Sequence, residues 1–139
     1  MQTITEDLLM ELKNADNIET FFKMHESKFI SKTTSEYLNE IVAIRNMSIS
    51  DIAKNSGCGE YVYKIFRGER NPSRDTLICI AFGMKLSLEE TQLLLRISKF
   101  AILDSRDKRD SIIIYCITHK LDIFSADDML FENNLVTIT

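Results

Sequence analysis

The sequence predicts an all-α fold, and three observations carry that prediction. Four glycines and one proline among 139 residues leave little punctuation for the many turns of an all-β protein. Leu, Ile, Lys, Glu and Met suit helices. A hydroxyl residue followed three positions later by Glu, the pattern of a helix-opening capping box, recurs at Thr3/Glu6, Thr33/Glu36 and Ser87/Glu90. With 45% hydrophobic and 27% charged residues, the chain can bury the core of one globular domain with embellishments.

The first helix is expected to start at Thr3 and end near Asn14, with Ile4, Leu8, Leu9 and Leu12 along one stripe. Asp16 and Glu19 repeat the start signal for a second helix reaching about Ser27, on which Ile18, Phe21, Phe22, Met24 and Phe29 are apolar. So much aromatic surface argues for packing against the body or a second subunit, with a partner-binding segment as the alternative. The polar break from Ser31 to Ser35 separates this N-terminal extension, residues 1–32, from a core domain, residues 33–100.

In the core domain Thr33 caps a helix over 34–45, whose Tyr37, Leu38, Ile41, Val42 and Ile44 are expected inside, with Glu36, Asn39, Glu40 and Arg45 outside. Asn46 suits a left-handed helix end. Ser48 caps a short helix over 49–55 with Ile52 and Ala53 inward, and the small Ala53 permits a close helix crossing. Ser56 and Gly57 supply a turn, glycine being tolerant of positive φ. A helix over 59–67 follows, with Val62, Ile65 and Phe66 inward and Glu60, Tyr61, Tyr63, Lys64 and Arg67 on or near the outer face. Gly68 stops it. Ser73 then caps a helix over 74–83, and Ser87 opens one over 88–100 that is apolar around much of its circumference.

The C-terminal extension, residues 101–139, is expected to hold a helix over about 105–120 and a short helix over 126–132 capped by Ser125, with an extended end from Leu135. The run Ile112 to Ile117 also fits a buried strand; its helical surroundings assign it to a helix.

The net charge of −4 counts against nucleic-acid binding, but it is unevenly distributed. From Arg45 to Arg74 six cations face three anions, a net of +3, which leaves −7 for the remainder. That asymmetry offers one basic face on an acidic body. The N-terminus lacks the basic start, apolar run and cleavage site of a signal peptide, no segment has the length of a membrane span, and Cys58, Cys79 and Cys116 lack paired spacing. A cytoplasmic protein with reduced, packed cysteines is expected. No nucleophile and base pair, metal cluster or phosphate loop is visible, so an enzyme, a cofactor and a metal are not expected. His25 and His119 read as surface or satisfied histidines. Asp104, Asp107 and Asp110 read as a solvated helix start, since Lys108, Arg109 and the missing loop glycine do not fit a calcium loop.

Met47-Ser48, Ile52-Ala53, Gly57-Cys58, Tyr61 to Phe66, Gly68, Arg70 and Pro72-Ser73 together give the stretch between Tyr37 and Lys99 a pattern that resembles the Cro and phage-repressor (XRE) family of transcription regulators. The resemblance implies a five-helix, repressor-like helix-turn-helix domain flanked by the two helical extensions. It also implies operator DNA as partner and homodimerisation to read two half-sites. Glu60 to Arg67 would then enter a major groove, with Lys64 on a base edge or phosphate and Arg67 on a phosphate. Arg70, Asn71 and Arg74 would hold the backbone, and Ser48 would sit at the start of the supporting helix. Tyr61 and Tyr63 either touch sugars and thymine methyls or pack inward.

The chain departs from the family pattern in a turn one residue shorter between Gly57 and Gly68, in Ile49 where a phosphate-contacting glutamine is common, and in Glu60, whose carboxylate repels phosphate but can accept from a cytosine amino group. These departures and the acidic extensions motivate a rival expectation. On that reading the chain is a protein-interaction module, antitoxin-like or an adaptor, whose partner docks on the N-terminal or C-terminal helices.

Overall fold

The structure, a computed structural model, describes residues 3–28 and 32–139. Phe29 and Ser31, assigned above to the second helix and to the polar break, lie outside the described residues. The described residues form nine α-helices and one 3-10 turn, with no strand among them. None of these helices is long and apolar enough to cross a membrane. The chain divides into two compact units, residues 1–31 and 32–139.

In the first unit, α1 (Ile4–Lys13) opens on the expected capping box, with the Thr3 hydroxyl accepting from the Glu6 N–H and the Glu6 carboxylate accepting from the Thr3 N–H. The second helix, α2 (Ile18–Met24), is capped by Asn17 and not Asp16, because the Asn17 side chain accepts the Thr20 N–H at 3.0 Å. The chain leaves α2 through a 3-10 turn, Glu26–Lys28. Phe21 and His25 are buried in this unit, and the His25 ring pairs through Nε2 with Glu11 of α1. Its Nδ1 has no hydrogen-bond partner among the described residues. His25 is thus a hairpin contact where the sequence offered only an isolated histidine.

The second unit holds α3 (Thr34–Arg45), α4 (Ile49–Ser56), α5 (Tyr61–Phe66), α6 (Arg74–Gly83), α7 (Leu88–Ile97), α8 (Lys108–Thr118) and α9 (Ile123–Glu132). Its core joins Leu38 and Ile41 of α3, Ile52 of α4, Val62 and Ile65 of α5, Leu77, Ile78 and Ile80 of α6, and Leu94 and Leu95 of α7. Ile113 and Cys116 of α8 with Ile123, Ala126 and Leu130 of α9 continue the same core, so residues 101–139 share it.

Ile44 is the exception on α3: it is 78% exposed, since the helix turns it away from the buried Leu38 and Ile41. The close crossing lies between α4 and α6, and its small residue is Gly83, not only Ala53. A Cβ at Gly83 would come within 2.9 Å of the Ile52 carbonyl oxygen and of the Ser56 amide nitrogen. Ser56, read above as a turn residue, is the fully buried last residue of α4.

Five helices stop in one way. At the ends of α3, α6, α7, α8 and α9, Asn46, Lys85, Lys99, Lys120 and Asn134 adopt left-handed backbone, with φ between 51° and 66°. The next residue, Met47, Leu86, Phe100, Leu121 or Leu135, donates its N–H back to a carbonyl five positions earlier. This is the Schellman arrangement, with an apolar residue following the left-handed one. It ends α7 at Ile97, three residues short of the expected Phe100.

Two helix starts also differ from expectation. Asp107 caps α8 by accepting the Asp110 N–H at 2.9 Å, so 105–107 lie outside the helix. Asp122 caps α9 by accepting the Ser125 N–H at 2.8 Å, which places Ser125 inside the helix it was expected to cap. In both, an aspartate caps in place of a nearby serine, as its charge also favours the positive helix start. The run Ile112 to Ile117 is helical.

Candidate nucleic-acid interface

The 48–73 stretch is built from α4, a tight turn and the short α5. Ser48 caps α4 by accepting the Asp51 N–H at 3.3 Å. At the other end Gly57 is left-handed, φ 76°, and the Gly59 N–H reaches back to the Ala53 carbonyl at 3.2 Å. The buried Ser56 hydroxyl donates to the same Ala53 carbonyl and accepts the Cys58 N–H, both at 3.2 Å. These bonds satisfy the Ala53 carbonyl and fix the direction in which the chain leaves α4.

The following helix is shorter than its sequence suggests. Gly59 is left-handed, φ 62°, and Glu60 makes no side-chain capping bond, so α5 begins at Tyr61 and spans six residues. Val62, Ile65 and Phe66 face inward as expected. Asn39 of α3, exposed as expected, also donates to the Phe66 carbonyl at 2.7 Å and so ties the end of α5 to α3. Tyr61 and Lys64 are exposed on the opposite face, and Tyr63 is half-buried against the core.

Of the cations proposed from the sequence, Lys64 and Arg70 are exposed and make no hydrogen bond or ion pair among the described residues. Asn71 is exposed in the same loop as Arg70. Arg67 is engaged: its Nε and Nη2 donate to the two carboxylate oxygens of Glu69 at 2.8 and 3.3 Å. These bonds hold Glu69 below the ordinary carboxylate range, and the charges of Lys64 and Arg70 act in the same direction. Glu69 is therefore the counter-ion of this basic cluster, a residue the sequence reading left aside. The spacing of Arg67 and Glu69, two apart across Gly68, was the signal for it.

Arg74 is engaged within the fold. Its guanidinium donates to both oxygens of Asp110 at 3.2 and 3.0 Å and to the carbonyls of Ala101 and Ile102 at 2.9 and 3.2 Å. Its neighbour Asp75 accepts two bonds of 3.0 Å from Arg109, which also donates to the carbonyls of Val136 and Thr137. The starts of α6 and α8 are thus joined by two reciprocal Arg–Asp pairs. Four of the five Arg74 N–H donors are thereby spent within the fold. Asp110, read above as part of a solvated helix start, is buried.

The C-terminal residues reach the same region. Asp127 of α9 accepts from the Ile138 N–H at 2.6 Å, from the Thr139 N–H at 3.3 Å and from the Thr139 hydroxyl. A Cβ at Gly57 would lie 3.3 Å from the Thr139 methyl, so the tail lies against the turn between α4 and α5. Cys58, in that turn, has its thiol shifted down to about 7 by the hydrogen bond from Cys79, whose own thiol is pushed up by that contact and by burial.

Comparisons with protein-family models, with curated proteins and with solved structures found no match.

Proposed function

We propose that residues 33–100 form a repressor-like helix-turn-helix domain, α3 to α7, and that the protein is a cytoplasmic transcription regulator that reads operator DNA. The observation that carries this reading is the division of α5. Val62, Ile65 and Phe66 anchor it on the core, while Tyr61 and Lys64 remain open on the other face beside the unpaired Arg70. A short helix held by one face and by both ends presents its other face at a fixed angle, which groove reading requires. The contact set is Lys64, Arg70, Asn71, Tyr61 and Glu60, with Arg67 available once it leaves Glu69. Two half-sites would be bound by a homodimer.

A gel-shift series against DNA from upstream of the protein's own gene tests this. The expected complex weakens steeply with salt, and Lys64→Ala with Arg70→Ala abolishes it. Absence of a salt-sensitive complex at micromolar protein overturns the reading.

The Arg67–Glu69 pair and the inward commitment of Arg74 favour a second reading, a protein-interaction module of the adaptor or antitoxin type with little DNA affinity. Recovery of one stoichiometric protein partner together with no DNA complex would select it.

A further inference from the structure

We propose that α1 is a self-association helix, which pairs antiparallel with α1 of a second copy of this chain. The inference deepens the homodimer part of the proposed function, and it is measured without DNA so that the two readings fail separately.

The first observation is energetic. Helix α1 has ten residues and buries none of them, although Ile4, Leu8 and Leu12 recur every fourth position with Leu9 beside them. Ile4 is 66% exposed, Leu9 50% and Leu12 41%. A helix shorter than about 12 residues is marginal in water unless its apolar face is packed. The Glu11 to His25 contact ties one flank of α1 to α2, and within the first unit the Leu9 and Leu12 side stays uncovered.

The second observation names the occupant. Glu6 and Lys13 lie seven residues apart, two helical turns, on the flank next to Leu9. A second α1 running antiparallel sets Glu6 opposite Lys13 of the other copy, and the two-fold symmetry makes that pair twice. Leu9 of each copy then meets the other near the axis. A parallel copy would place Glu6 on Glu6 and Lys13 on Lys13, which repel. A surface whose charges complement themselves under a two-fold rotation is the signature of an isologous interface. The capping box leaves one oxygen of Glu6 free for this pair.

Sedimentation equilibrium of the full chain in the absence of DNA is expected to give a concentration-dependent dimer at micromolar protein. The double variant Leu9→Glu, Leu12→Glu is expected to weaken it more than about tenfold, with helical circular dichroism of the larger unit retained. Direction is read by cross-linking under mild oxidation. Glu6→Cys combined with Lys13→Cys should form a reductant-sensitive dimer, whereas Lys13→Cys alone should not. In the antiparallel pair the two Lys13 positions are offset by about 10 Å along the axis, beyond the roughly 7 Å that a disulfide spans. A monomeric wild-type chain, a dimer indifferent to the leucine substitutions, or equal cross-linking by Lys13→Cys alone would each overturn the proposal.

Discussion

The Arg74 guanidinium lies flat against the Asp110 carboxylate, donating from Nη1 and Nη2 at 3.2 and 3.0 Å across 36 residues of sequence. Asp110 is only 6% exposed, and the remaining Arg74 bonds go to the carbonyls of Ala101 and Ile102. The pair joins α6 to α8 and closes the connection from α7. Removing the arginine leaves a carboxylate in a dry site, so Arg74→Ala should cost about 3 kcal/mol of stability, read as a lower urea midpoint. A variant of unchanged stability with weakened DNA binding would return Arg74 to the interface.

Gly83 makes the crossing of α4 and α6 possible. The nearest atoms to an added Cβ are the Ile52 carbonyl oxygen and the amide nitrogen and Cβ of Ser56, all at 2.9 Å, which cannot rotate aside as a side-chain tip would. Gly83→Ala should destabilise by about 2 kcal/mol despite its better helix propensity. Thermal unfolding followed by circular dichroism checks the sign, and a stabilised variant would contradict the close crossing.

Lys85 and Lys120 hold left-handed backbone at φ 55° and 57°. Such a conformation costs an ordinary side chain roughly 1–2 kcal/mol relative to glycine. Lys85→Gly and Lys120→Gly should each raise stability by about 1 kcal/mol, measured by urea denaturation. If both lower it, the Schellman endings are misassigned.

The basic cluster contains its own competitor. Glu69 holds Arg67 through two hydrogen bonds, so Glu69→Gln should free a cation and remove a charge that repels phosphate. DNA affinity should rise and the salt dependence steepen by about one phosphate contact, whereas Lys64→Ala should reduce that slope by about one contact. Anisotropy titrations across a salt series read both slopes. Equal slopes in all three proteins would remove Lys64 and Arg67 from the phosphate contacts.

Cys58 should be the most reactive of the three cysteines. Its thiol is half-buried and shifted down to about 7, while Cys79 and Cys116 are buried and shifted upward. The depressed value means the thiolate forms as pH rises through about 7, so iodoacetamide labelling of Cys58 should climb over that interval. Labelling should fall once pH drops below it. Peptide mapping that finds Cys116 modified first would contradict the assignment.

What the sequence made legible was local. Thr3, Thr33, Ser48, Ser73 and Ser87 each cap through a bond to the residue three positions on, and the pairing is visible along the chain itself. The inward set Val62, Ile65 and Phe66 follows from helical spacing alone. Where two capping residues stood close together, as with Asp107 and Ser105 or Asp122 and Ser125, the pattern did not decide between them. The lysines at left-handed helix ends were missed because lysine carries no turn signal, unlike Asn46. The bonds of Arg74 to Asp110 and of Asn39 to the Phe66 carbonyl depend on partners far away in the chain that no local pattern reveals. These contacts engage Arg74 within the fold and leave Lys64 and Arg70 open.

The central claim, sequence-specific DNA reading by α5, is tested most directly by selecting binding sites from a random double-stranded library with the purified chain. One enriched motif is expected, lost with Lys64→Ala plus Arg70→Ala, whose two halves lie about one helical turn or a multiple of it apart. No enrichment over the unselected library, or an enrichment that the double variant retains, would contradict it.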